Sequence, residues 1–178
     1  MKPSPLQLKW LTYPTARYDT NIEYTGEPGV PVDAGVDIEV RYSMEGNHTV
    51  FVTLTSDEDL FEQGAIPYEF ELVAAASFEI DLDAARMAYR TESGRELAGL
   101  VSANISRMVF ASAREQLATL TSRAPYRSCV LKSVIIEPSD VNISSPGHEP
   151  PEILRHVFGA SDEELAKVKS EPVGESAD

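Results

Sequence analysis

The spacing of apolar and polar residues changes once along this chain, from alternation in the first half to helical spacing after about Glu96. Leu6, Leu8 and Trp10 alternate with Gln7 and Lys9, the period of a half-buried strand. Pro14 interrupts that run, and Tyr18 to Tyr24 is placed to resume it as an edge strand. Thr25 to Gly35, rich in Gly, Pro and acids, reads as a loop. Val36, Ile38, Val40 and Tyr42 then share one face of a clean strand, and Glu45-Gly46-Asn47 turns the chain. Thr49 to Thr55 follows with Val50, Val52 and Leu54 inward. A third clear strand runs from Tyr68 to about Ile80, after a turn from Gly64 to Pro67. Connections this short predict an antiparallel meander with one apolar and one wet face. Within it Ala74, Ala75 and Ala76 are small enough to admit a closely packed helix, or to leave shallow space above the sheet.

From Glu96 to Ser122 the apolar residues fall at helical spacing. Leu97, Leu100, Val101, Ile105 and Met108 form one stripe; Val109, Phe110, Ala113, Leu117 and Leu120 continue it with a drift around the axis. The drift creates a second apolar face, and such a helix has two surfaces to cover. Ile105, Val109, Phe110, Ala113, Leu117 and Leu120 are therefore the candidate oligomer interface, with burial inside one subunit as the alternative. Pro125 closes the helical region. Cys129 to Ile136 is β-branched and extended, either a last strand or a segment laid against the core. Pro138 to Pro151 reads as a linker, and Ser161-Asp-Glu-Glu164 has capping-box spacing for a short helix through Val168. Glu171 to Asp178 has the composition of a disordered end. The expected organisation is one domain over 1–145 and a Pro- and acid-rich extension over 146–178.

Charge sharpens the division. Between Asp19 and Asp83 there are sixteen acids and one base, Arg41, whereas Arg86 to Lys132 holds eight bases and three acids. The formal net charge of −14 disfavours nucleic acid, whose phosphates need a basic surface. It favours basic partners or the solubility of an assembly. No apolar signal core opens the chain and no apolar run approaches membrane-spanning length, so a cytoplasmic protein is expected. The lone Cys129 excludes an intramolecular disulfide framework, and the sequons at Asn47, Asn104 and Asn142 are read as chance.

Catalytic chemistry is thin. There is no nucleophile elbow, no phosphate-cradling glycine loop and no histidine pair at metal-ligand spacing. His48 falls in a turn, with His148 and His156 in the linker and tail, and all three read as surface residues. Cys129, with no basic neighbour in sequence, reads as a small hydrophobe. Asp57-Glu-Asp59 and Asp81-Leu-Asp83 lack the loop glycine of a calcium site and read as a turn and a helix start. Neither an enzyme mechanism nor a cofactor or metal is expected.

Leu100, Asn104, Ile105, Phe110, Ala113, Arg114 and Glu115, with Leu120-Thr-Ser-Arg-Ala124, resemble the long helix of the SecB family of export chaperones. In that family an Asn and an apolar pair precede a Phe-Pro-Tyr-Ala-Arg-Glu motif. Ala111-Ser112 stands here in place of the Pro-Tyr, so the proline kink should be weaker or absent. The order of elements matches over roughly Leu6 to Val141. The resemblance implies a two-layer α+β subunit, a four-stranded antiparallel sheet followed by a long helix, with a flexible acidic C-terminal tail. It implies a homotetramer, built as a dimer of dimers, that holds unfolded or nascent polypeptide without ATP, in protein export or beside a toxin–antitoxin system. By position it assigns Ile38, Val40, Tyr42, Phe70, Leu72 and Phe78 to a client-binding groove. The family's first strand contacts the SecA motor through acids, and Tyr13 to Tyr18 holds none. A dedicated adaptor on the same fold is the competing reading, with Asp37, Glu39, Glu69 and Glu71 as its acidic partner face.

Overall fold

The computed structural model describes residues 4–170, with side chains described to residue 166. Strands β1 (Leu6–Thr20), β2 (Gly35–Arg41), β3 (His48–Thr55) and β4 (Tyr68–Ile80) build most of one sheet. β2, β3 and β4 form the antiparallel meander that the alternation predicts, with Ile38 opposite Val52 and Val52 opposite Ala74. That register places Val40, Val50, Val52, Leu54, Leu72, Ala74, Ala76 and Phe78 on one face, all fully buried. β1 pairs with β4 and runs unbroken past Pro14. The expected interruption is instead a bulge: register slips between Thr12 and Thr15, on an edge strand where proline's missing N–H costs no ladder bond. The strand ends at Thr20, short of Tyr24, and the Asn21 side chain then turns inward to the Phe61 carbonyl.

A short strand β5 (Asn142–Ser144) joins the far edge parallel to Glu39–Arg41, so the sheet order is β1-β4-β3-β2-β5. The sheet is thus five-stranded and mixed, which corrects the four-stranded antiparallel expectation. Three residues are too few to show alternation, and β5 lies inside a Pro-, Ser- and Gly-rich stretch whose pairing partner is remote in sequence.

The long helix is α3 (Gly94–Thr121), capped by Ser93, whose hydroxyl accepts from the Glu96 N–H at 3.2 Å. Two adjacent rows at i, i+4 spacing are buried: Val101, Ile105, Val109, Ala113, Leu117 and Thr121, and beside them Gly94, Ala98, Ser102, Ser106 and Phe110. α3 lies over β3 and β4, where Ala74 and Ala76 form part of the floor, the close packing that small residues allow. Its other side is covered by the chain itself. α3 packs on α4 (Pro150–Phe158) and on a 3-10 turn (Pro138–Asp140), while Arg107 and Arg114 donate to the carbonyls of Ile136 and Leu131. The candidate oligomer interface is corrected accordingly. Ile105, Val109, Phe110, Ala113 and Leu117 are buried within one subunit, and of the six only the half-buried Leu120 keeps surface outside.

α1 (Glu58–Glu62) and α2 (Leu82–Tyr89) begin at Asp57 and Asp81, whose carboxylates accept from Leu60 and Ala84 N–H groups at 3.0 Å. α5 (Asp162–Ser170) starts where the capping box predicts. α4 begins at the last two residues of the expected linker: Pro150 and Pro151 suit a first helical turn, and Glu149 and Glu152 close a capping box. Ile153 and Phe158 are fully buried in the same core as the sheet. The described part of 146–178 therefore packs on the domain, and the expected disordered end at Glu171 to Asp178 lies outside the described residues. No helix among the described residues is long and apolar enough to cross a membrane.

Candidate functional site

No cluster of His, Cys, Asp or Glu able to hold a metal occurs among the described residues. Cys129 is buried, and burial pushes its thiol up to about 12, which keeps it protonated and inert. His148 sits beside Glu152 at 3.2 Å on an exposed turn, and His156 is exposed on α4. His48 departs from its surface assignment: it is 4% exposed, its Nδ1 accepts from the Ser43 N–H at 3.2 Å, and burial lowers its pKa to about 4. Being in phase with Val50 and Val52, it points to the core.

The six residues assigned to a client groove also point inward. Ile38, Val40, Tyr42, Phe70, Leu72 and Phe78 are all buried. Tyr42 shares a 2.7 Å hydrogen bond with the Ser102 hydroxyl on α3, and burial raises its pKa well above the usual range. These side chains are core beneath the helix and not an open lining, although Ile38 and Phe70 each reach the wall of a recess.

Exposed apolar residues lie elsewhere, and one group of them borders two recesses. After α3 the chain runs extended from Cys129 to Ile136, held by N–H···O bonds between Val32 and Val130 and between Lys132 and Val32, and by one parallel bridge, Val32 to Leu131. The Cys129 N–H is tied to the Thr121 hydroxyl at 2.7 Å. Cys129, Leu131 and Ile136 turn inward, while Val130, Val134 and Ile135 face solvent. Of the two sequence readings, this is the segment laid against the core. A recess of about 400 Å³ lies between it and β2, lined by Ala34, Val36, Ile38 and Val134 to Ile136 with Asp140. A second, about 290 Å³, lies between it and α3, lined by Ala111, Arg114, Glu115 and Ala118 with Cys129 to Leu131. The signal for these residues lies in the β-branched Val130, Val134, Ile135 and Ile136, but periodicity does not say which side chains remain outside.

The acidic set occupies the sheet face opposite α3, and part of it is internally neutralised. Glu39 pairs with Arg41 at 2.6 Å and accepts from the Ser144 hydroxyl at 2.7 Å; the Arg41 hydrogen bond holds its carboxyl below the usual range despite partial burial. Glu71 pairs with Arg17 at 2.5 Å, and Asp37 accepts from Asn142 at 3.4 Å. Glu69, with Asp19, Glu58, Glu71 and Arg17, lines a polar recess of about 340 Å³. The same sheet face carries the half-exposed Trp10, and Arg41 lies over the Phe51 ring at 4.5 Å.

No protein-family model and no curated protein matches the chain. Among solved structures, the chain is similar to the Mycobacterium tuberculosis SecB-like chaperone Rv1957, solved in complex with a ChAD peptide from the Rv1956 HigA1 antitoxin. The identity is 13%, the match covers 73% of this chain and 91% of that one, and the TM-score is 0.48.

Proposed function

We propose that this protein holds non-native polypeptide without nucleotide and without catalysis, through the exposed apolar side chains Val130, Val134 and Ile135 of the segment after α3. The observation that carries the reading is the pair Val134 and Ile135, the latter 84% exposed, standing beside the recess against β2. An unfolded client offers apolar side chains at no fixed spacing. A strip of aliphatic residues flanked by open recesses accepts them without demanding a sequence. The acidic surface keeps such a protein soluble and draws basic client segments. A role in export or beside a toxin–antitoxin system belongs to the SecB resemblance, as does a homotetramer. Assembly through α3 would use its exposed positions, Met108, Ala111 and Glu115 among them. The test is light scattering of a denatured client diluted into buffer with near-stoichiometric protein. Wild type is expected to suppress aggregation, and Ile135→Glu to weaken suppression severalfold with an unchanged melting temperature. A folded wild type that suppresses nothing overturns the reading.

A second reading, a dedicated adaptor, is favoured by the recess where Asp19, Glu58, Glu69 and Glu71 face only Arg17. It predicts capture of one basic protein at low salt, lost at high salt, with no general holding.

A further inference from the structure

α4 and α5 meet the rest of the molecule through an apolar contact of Ile153, Val157, Phe158, Ala160 and Leu165, with an aromatic seat at Phe158 and polar pins beside it. Phe158, at the end of α4, is fully buried with its ring edge-on to Tyr42, centroids 4.9 Å apart. Tyr42 contacts His48 at 5.0 Å and His48 contacts Phe78 at 5.4 Å, so the rings form a continuous floor. Among the pins are Arg86, which donates to the Phe158 carbonyl at 2.7 Å, and Ser93, which donates to Glu164 at 2.5 Å, with the Arg95 backbone also bonded to Glu164. The tether is the exposed turn between β5 and α4, where Gly147 has φ +77° and a Cβ would meet nothing within 4 Å. The seam is not sealed: a cavity of about 210 Å³ lies between α4 and the sheet end, lined by His48, Met44, Ile80 and Leu82 on one side and His156 and Val157 on the other.

We infer that α4 and α5 form an acid-released clasp, with His48 in the seat as the proton acceptor that opens it. An imidazolium there would be a charge among Tyr42, Phe78 and the apolar wall, whereas lifting α4 opens the cavity and lets water reach the ring. The other groups facing His48 are few. Glu79 on β4 pulls its protonation upward, His156 on α4 lines the same cavity, Tyr42 presents a neutral ring, and α2 offers only Leu82. Glu79 does not outweigh burial, which holds the seated histidine at about 4. Released, the ring returns towards its ordinary value of about 6.5. The open state binds the extra proton between these values, so the clasp is fully favoured above about pH 6.5 and weakens as pH falls towards 4. Release bares Ile153, Phe158 and Tyr42, apolar surface distinct from the Val130–Ile135 segment, so this inference stands whether or not that segment holds clients.

The test is amide hydrogen exchange of the full chain at pH 7, 6 and 5, expressed as protection factors. Between pH 7 and 5, protection in α4 is expected to fall roughly twentyfold by proton linkage, while β3 and β4 keep theirs. His48→Phe should abolish the fall and His156→Gln should leave it. Constant protection in α4, a parallel loss in β3 and β4, or a fall that survives His48→Phe would each overturn the clasp. If His48→Phe does not fold, the wild-type series alone decides between the first two outcomes and the expected one.

Discussion

At Gly94 the first turn of α3 touches the junction of α4 and α5, and a methyl group there would sit 2.6 Å from the Ala160 nitrogen. Backbone cannot yield as a flexible side chain does. Gly94→Ala should therefore destabilise the fold by about 1–3 kcal/mol, read as a lower urea midpoint with an unchanged slope. Nothing in the sequence marks this glycine, because its constraint comes from a residue more than sixty positions away. His48 is the opposite case. Its alternation with Val50 and Val52 already placed it on the inner face, but the neighbouring Glu45-Gly46-Asn47 turn drew it into the loop reading. Local turn chemistry and strand phase competed there, and phase won because the pairing with Phe78 starts at His48 itself.

α3 was legible as an element in length, spacing and the presence of two apolar sides. What covers the second side was not, since periodicity identifies an apolar face and never its partner. The cover is the Cys129–Ile136 segment, the 3-10 turn and α4, the last hidden in a stretch whose prolines suggested a linker and serve instead as a first helical turn. Leu117, fully buried within the subunit, tests the assignment. Leu117→Ala should cost about 2–5 kcal/mol in denaturant unfolding and leave the oligomeric state in light scattering unchanged. A change of assembly with little loss of stability would return Leu117 to an interface. The strands fared better than the helices because their alternation is local, and β5 failed for want of length.

For the whole molecule, the net charge of −14 outweighs the surface ion pairs. Arg17–Glu71 and Lys132–Asp33 are largely exposed and contribute little, whereas repulsion across the acidic half opposes compaction. Raising salt from about 20 to about 300 mM should therefore raise the melting temperature by roughly 2–5 °C, followed by circular dichroism; a fall would mean that the pairs dominate. The parallel strand β5 has a consequence in time. β4 is complete at Ile80, but the free edge of β2 is closed only by Asn142–Ser144. At a synthesis rate of about 5–20 residues per second, that edge stands open for roughly 3 to 12 s on every nascent copy. During that interval the growing chain presents an unpaired strand to its neighbours on the polysome, the same hazard that a holder of unfinished chains would exist to relieve.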